Sequence, residues 1–489
     1  MSSILGIALA LVLLMVLAYR GVSVLLLAPL MALLAATLSP DTPLLASYTQ
    51  VFMPALGGFV IAFFPLFLLG AVFGKLMEDS GAARAIAEAI TRALGSQRAI
   101  LAIVLACAVL TYGGVSLFVV AFAVYPIAAA LFRQADIPKR LIPGTIALGA
   151  FTFTMTALPG TPAIQNAIPM PFFGTTPFAA PGLGLIGGAV MLVLGTAWLV
   201  RRAASARGRG EGYGQHGSDS AASLQDPASR APQSSAAGAH APSTAVPPVP
   251  PVPLAPPRLV LAIAPIVLVI VLNYLLATWL LPRLDTAYLG EARYGATRIE
   301  TLRGIWAVIT ALAAAIVLLV VLQRSRLPRL SHTLEAGATG SVLPLLNTAS
   351  QVGFGAVIAS LAGFALIRDA VLGIAPGNPL VSLSIAVNIL AGITGSASGG
   401  MSIALQTLGD TWLAMGQAAG IAPDLLHRVT AIATGGLDAL PHNGAVITLL
   451  GICGLSHRQS YGDIFVVAVA IPVLALVVVV VLGSTFGSF

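Results

Sequence analysis

The sequence predicts an all-α polytopic membrane protein made of two inverted repeats, each with five transmembrane helices and one re-entrant hairpin. Composition is the first reason. Of 489 residues, 58% are hydrophobic and 8% charged, with a mean hydropathy of +0.97, against roughly 45–50% apolar and about 25% charged in soluble domains. Apolar runs are the second: stretches of about 20 residues, enough to cross a ~30 Å hydrocarbon core, recur along the chain. Internal repetition is the third. "ALPGTPAIQ" (157–165) returns as "ALPHNGAVI" (439–447), "YGGVS" (112–116) as "SGGMS" (398–402), and "IPKRLIPGTIALG" from Ile137 as "APDLLHRVTAIATG" from Ala422. The offsets are 282 (439 − 157), 286 (399 − 113, on the first Gly) and 285 (422 − 137).

The first span, from Ile4 to Tyr19, has no basic residue before it and no small-residue cleavage site after it, so it reads as a retained helix rather than a signal peptide. Spans follow at 22–38 and 57–78. The stretch 98–132 is too short for two full spans with a loop, and basic residues flank both ends: Arg92 and Arg98 before it, Arg133, Lys139 and Arg140 after it. The positive-inside tendency puts both ends on the cytoplasmic side, which makes the stretch a re-entrant hairpin with its tip at "TYGGVS". Spans at 140–166 and 182–200 complete the first repeat, residues 1–202. Residues 203–257 are Gly-, Ser-, Ala- and Pro-rich with too few large apolar residues to bury a core, and read as a disordered cytoplasmic linker. The second repeat, 258–489, has spans at 258–280, 304–322 and 340–367, a hairpin at 378–420, and spans at 424–450 and 463–484. This arrangement places both termini outside. Of the 24 Lys and Arg, only Arg283, Arg293, Arg298, Arg303, Arg368 and Arg428 then lie outside. The net charge of +7 therefore speaks of orientation in a lipid bilayer, not of nucleic acid.

Inverted repeats whose Gly/Pro-broken segments meet at the bilayer midplane are the sequence sign of a secondary transporter. Pro159 and Pro441 each remove an intrahelical hydrogen bond and split a helix into two halves. A half-helix starting in mid-membrane presents free N–H groups and a partial positive charge, which suits a carboxylate. The expected anion cradle therefore takes Thr111, Tyr112, Gly113, Gly114 and Ser116 from the first hairpin tip, and Pro159, Gly160 and Thr161 from the first break. The second hairpin supplies Ser396, Ser398, Gly399 and Gly400, and the second break His442, Asn443 and Gly444. The cradle is expected to work without an intramembrane Arg or Lys. Ionisable residues deep in a bilayer are costly, and Asp438 and His442 are the conspicuous pair. Either one serves as proton carrier, histidine because it titrates near pH ~6.5. Cys107 and Cys453 sit in apolar context, so neither a disulfide framework nor a metal site is implied. No cofactor is expected. An enzyme is disfavoured because the chain has no paired metal motif and no Gly-x-Ser-x-Gly.

At "LFLLGAVFGKLMEDSGAARAIA" (66–87), "GGVSLFVVAFAVYPIA" and the two Ala-Leu-Pro breaks, the chain resembles the gluconate:proton symporter (GntP) family of bacterial permeases, within the larger ion transporter superfamily. The likeness covers most of the chain outside the linker. It implies the bacterial inner membrane and proton-coupled uptake of small hydroxy or sugar acids by an elevator-like movement of hairpins and broken helices. A sodium-coupled carboxylate carrier of the same superfamily is the alternative, with "TGSASGG" binding the ion. Sugar-acid members carry a Glu in the first hairpin and a His in the first break, where this chain reads "LTYGGVS" and "TALPGTPAIQ". A less hydroxylated acid such as 3-hydroxybutyrate then fits better than gluconate. The sequence leaves open whether the chain forms a homo-oligomer.

Overall fold

The computed structural model describes residues 2–20, 22–40, 42–214, 257–375 and 377–489. Among these, the regular structure is entirely helical. Seven helices are long and apolar enough to cross a membrane: Leu44–Asp79, Leu117–Gln134, Pro181–Gly208, Leu259–Arg283, Ile299–Arg326, Leu330–Ser360 and His457–Phe486. The protein is a multi-span membrane protein. Six of these seven match expected spans, with shifted ends. Leu330–Ser360 replaces the expected 340–367, because the chain breaks at Leu361 and resumes as a separate helix, Phe364–Leu372. The seventh, Leu117–Gln134, was expected as a hairpin arm. The first two expected spans are shorter helices, Ser2–Tyr19 and Val24–Thr37. At 1.5 Å per residue the second measures about 21 Å.

The expected spans at 140–166 and 424–450 are interrupted around their prolines, as the sequence reading has it, the first into more pieces than two halves. The first is divided into Ile142–Ala150, Phe153–Thr156, Ile164–Ala167 and Pro169–Phe173, the second into Pro423–Ala433 and Gly444–Cys453 around one 3₁₀ turn. In each the Ala-Leu-Pro lies in the interruption, where proline has no N–H to give and glycine permits the turn. Two helix pairs correspond to the expected hairpins. Ala99–Tyr112 and Leu117–Gln134 are joined by four residues, Pro379–Thr394 and Ala397–Ala418 by Gly395 and Ser396.

One element had no counterpart in the sequence reading. Ala82–Leu94 is an amphipathic helix with Ala83, Ile86 and Ala87 buried and Arg84 exposed, and the chain turns by 103° between it and the first hairpin arm. Its charge content excludes it from a search for apolar runs. The linker also starts later than expected, since Pro181–Gly208 runs past 203 and Glu211 reaches back to Arg140 at 2.5 Å. That hydrogen bond holds the Glu211 carboxyl below the usual carboxylate range. Residues 215–256, the body of the expected linker, lie outside the described residues.

The order of elements in the first half recurs in the second: a long helix, a short one, a helix pair, an interrupted helix, a long helix. Leu44–Asp79 and Leu330–Ser360 pack against each other antiparallel, Gly337 against Val72 and Gly353 against Phe52. The two opening helices cover that pair, with Ile7, Leu14, Met31 and Ala35 packed on Phe52, Phe354 and Ile358. A larger apolar core joins the hairpins, the interrupted helices and the last helix of each half.

Polar contacts tie elements of the two halves together near the ends of the long helices. Asp463, 3% exposed, takes Arg202 at 2.8 Å, Arg140 at 3.2 Å and the Trp198 indole N–H at 3.2 Å. Thr333 donates to Asp79. At the other end, Gly363 N–H donates to Ser3 and Gly182 N–H to the Phe489 carbonyl.

Candidate functional site

Each hairpin tip rests on the broken helix of its own half. In the first half, the Tyr112 hydroxyl donates to the Pro159 carbonyl at 2.7 Å, and Gly114, at φ +92°, faces Pro162. A Cβ at Gly114 would stand 3.0 Å from the Pro162 ring, so a glycine is required on both conformational and steric grounds. Gly160, at φ +82°, donates its N–H to the Pro177 carbonyl and accepts from the Asn273 amide at 3.1 Å. Thr161 is buried, its hydroxyl accepting from Ala163 N–H. Thr111 is buried with no partner for its hydroxyl among the described residues. Ser116 precedes the second arm without capping it through its side chain. Apolar side chains close this tip: Leu312 and Phe73 lie beside Gly114, and Ile266 occupies the space a Cβ at Gly113 would need. Gly113, expected in the cradle, thus packs closely against Ile266.

In the second half, Asn443 is the joint. Its Oδ1 accepts from Ala445 N–H (2.6 Å) and Val446 N–H (3.1 Å), capping the half-helix Gly444–Cys453, while its Nδ2 donates to the carbonyls of Gly395 (3.0 Å) and Asp438 (2.7 Å). One side chain therefore ties hairpin tip, 3₁₀ turn and half-helix together. His442 lies directly against Gly395, whose φ is +60°, and its Nε2 is buried with no hydrogen-bond partner among the described residues. Asp438 sits in the Leu437–Ala439 turn. The interruption removes the helical spacing that would put Asp438 and His442 on one face, and among the described residues no hydrogen bond joins them. The His457 ring nitrogen meets the Pro441 carbonyl at 2.9 Å and the Tyr461 hydroxyl donates to the Ala439 carbonyl at 3.1 Å, so the last long helix braces the turn.

Ser396 caps the Ala397–Ala418 helix by accepting from Gly399 N–H, and Ser398 bonds Thr348 of the Leu330–Ser360 helix at 3.2 Å. Gly399 and Gly400 have different duties. A Cβ at Gly399 would meet the Gln351 side chain, whereas one at Gly400 would stand 2.2 Å from the backbone of Ala391 in the other arm. Gly400 is where the arms cross, not an open tip. Gly444 has open space around its Cα. The two breaks meet at Thr156 and Gly435, whose Cβ position lies 3.3 Å from the Thr156 side chain.

Contrary to the sequence reading, a buried arginine does lie beside the breaks. Arg428 is fully buried on Pro423–Ala433. Its Nε and one terminal nitrogen donate to the Ala179 carbonyl at 3.0 and 2.7 Å, and the remaining donors reach Pro177 O, Thr156 O and Asn166 Oδ1. The guanidinium is satisfied wholly by neutral oxygens, and it crosses from the second half to the first break. Its neighbour His427 is also fully buried, with Nδ1 2.6 Å from the Thr175 hydroxyl and Nε2 3.1 Å from Asn166 Oδ1. Because Asn166 Nδ2 donates to Thr161 and Pro177 carbonyls, its Oδ1 accepts, so His427 Nε2–H donates and Nδ1 accepts from Thr175. The pair "HR" inside "LLHRVTAIA" was the available signal, set six residues into a helix started by Pro423.

Interrupted helices seated on helical hairpins in a multi-span bundle are the architecture of a membrane transporter, and the likenesses agree. A model of the GntP family permeases matches residues 1–173. Over 486 residues the chain is 46% identical to YxjC of Bacillus subtilis (strain 168), described as an uncharacterized transporter, with 98% of each chain covered. It is also 44% identical over 85 residues to an uncharacterized transporter of Haemophilus influenzae, 17% of this chain and 20% of that one. The protein is a transporter. It belongs to the GntP permease family.

Proposed function

We propose that this permease takes up a small organic monocarboxylate, of the size of 3-hydroxybutyrate rather than gluconate, by proton-coupled symport across the bacterial inner membrane. The observation that carries the reading is the convergence of four interrupted elements, with Tyr112 on Pro159, Asn443 on Gly395 and Thr156 against Gly435. The N-termini of the second hairpin arms, Leu117–Gln134 and Ala397–Ala418, have N–H groups to offer an anion, while the half-helix Gly444–Cys453 gives two of its own to Asn443. The antiparallel packing of Leu44–Asp79 on Leu330–Ser360 supports inverted repeats, and the Lys and Arg distribution supports both termini outside and the linker inside. Hairpins and broken helices form the moving body of an elevator, and the antiparallel pair with its covering helices forms the scaffold.

Coupling is assigned to Asp438 and His442, the titratable groups of the second break. A proton taken up there offsets the charge of the bound acid, so the loaded carrier crosses nearly neutral. Counterflow in proteoliposomes with C3 to C6 hydroxy acids tests activity and substrate class together. With Asp438→Asn and His442→Gln made separately, at least one is expected to lose accumulation driven by a pH gradient yet keep exchange at equal concentrations, because exchange never requires the empty carrier to return. Accumulation by both variants, or accumulation that follows sodium at a fixed pH gradient, refutes the assignment. The second result favours the sodium-coupled alternative.

A further inference from the structure

Three oxygens where the second hairpin packs on the Leu330–Ser360 helix are buried and bonded to nothing among the described residues: Asn347 Oδ1, Gln351 Oε1 and Ser402 Oγ. Gln351 is 2% exposed and Ser402 3%. Asn347 and Gln351 are four apart on Leu330–Ser360 and share a face, as Ser398 and Ser402 do on Ala397–Ala418. The two faces meet, since Thr348 bonds Ser398 and the Gln351 amide fills the space over Gly399. A folded protein rarely leaves such groups unpaired, because burial without a partner costs free energy.

Packing does not demand them. At any of the repeat offsets, from 282 to 286, residues 347, 348 and 351 fall within 61–69, "IAFFPLFLL", so the other half builds the same helix with apolar side chains. Among the described residues, the polar face on the long helix belongs to the second half only. Its oxygens ask for a hydrogen-bond donor, and the N-terminus of Ala397–Ala418 beside them favours a negative charge. That positive helix end opposes a metal cation, and Asn347, Thr348, Gln351, Ser396, Ser398 and Ser402 are all neutral. A ligand with a carboxylate at one end and a hydroxyl a few atoms away meets both requirements.

We infer that Asn347, Gln351 and Ser402 form a subsite that reads the hydroxyl of a hydroxy acid whose carboxylate faces the second hairpin tip and His442. This rests on the carboxylate-carrier reading and specifies which residues choose the substrate. A site built to bond a hydroxyl discriminates strongly against the analogue lacking it, because its own polar groups are then left unpaired.

The test uses the full chain in proteoliposomes, with uptake of labelled 3-hydroxybutyrate competed by unlabelled 3-hydroxybutyrate or butyrate. The wild type is expected to prefer the hydroxy acid. Ser402→Ala, which removes one oxygen and almost no volume, and Gln351→Met, near in shape, are expected to lower that preference about tenfold while butyrate inhibits as before. An unchanged preference in Ser402→Ala overturns the subsite, whether or not Gln351→Met folds. A sodium requirement that shifts in Ser402→Ala at constant preference overturns it in favour of a cation. Absence of any hydroxy-acid transport by the wild type overturns the parent reading instead.

Discussion

Arg428 shows how one side chain can join two halves of a membrane protein. All its donors end on neutral oxygens of residues 156–179, so the charge is solvated by the first break rather than paired with a carboxylate. Lysine, a compact ammonium with three donors, cannot reproduce the planar fork. Arg428→Lys is expected to strip bonds from several of these oxygens and destabilise the folded carrier by on the order of 3 kcal/mol. A thermal midpoint in detergent within a degree of wild type would contradict this. At this scale the sequence was legible where proline and glycine break a helix, because those residues act through the backbone alone. It placed Arg428 among the outer basic residues and was silent on Gln351 and Ser402, because a polar residue in an apolar run does not show the groups that face it.

Among elements, the two hairpins owe their shape to glycines of different kinds. Gly400 admits the backbone of Ala391, and no rotamer relieves a clash with backbone. Gly400→Val is therefore expected to lower the yield of monodisperse protein, not uptake alone. Gly444, which starts a half-helix in open space, tolerates Ala with uptake within about twofold of wild type, since Ala is the better helix former. Size-exclusion profiles beside transport rates separate the two outcomes, and a normal profile for Gly400→Val would show that the arms can part. Long apolar helices were readable from composition and length. The amphipathic helix Ala82–Leu94 was not, because its signal is a periodicity of burial rather than a run. The limits of the broken helices were hidden too, since a proline marks a break without saying how far the chain stays irregular.

For the whole molecule, the first hairpin decides the topology. If it enters from the cytoplasm, single cysteines at Arg98 and Arg133, both exposed, should react only with reagent on the inner side. Cys107 and Cys453 are buried, so the native background is low. Labelling of the two positions from opposite faces would make Leu117–Gln134 a full span and end the inverted arrangement. The halves, whichever way they lie, interlock through buried and part-buried bonds: Arg428 to the first break, Asn273 to Gly160, Asp463 to Arg140 and Arg202, and the Tyr125 hydroxyl to the Cys453 carbonyl. Every one of these bonds joins residues on opposite sides of the 215–256 segment. Continuity of the chain there is then not expected to be a condition of assembly. Two separately encoded fragments, 1–214 and 257–489, should find each other in one membrane and co-purify as a working carrier, with Arg428→Lys weakening the union.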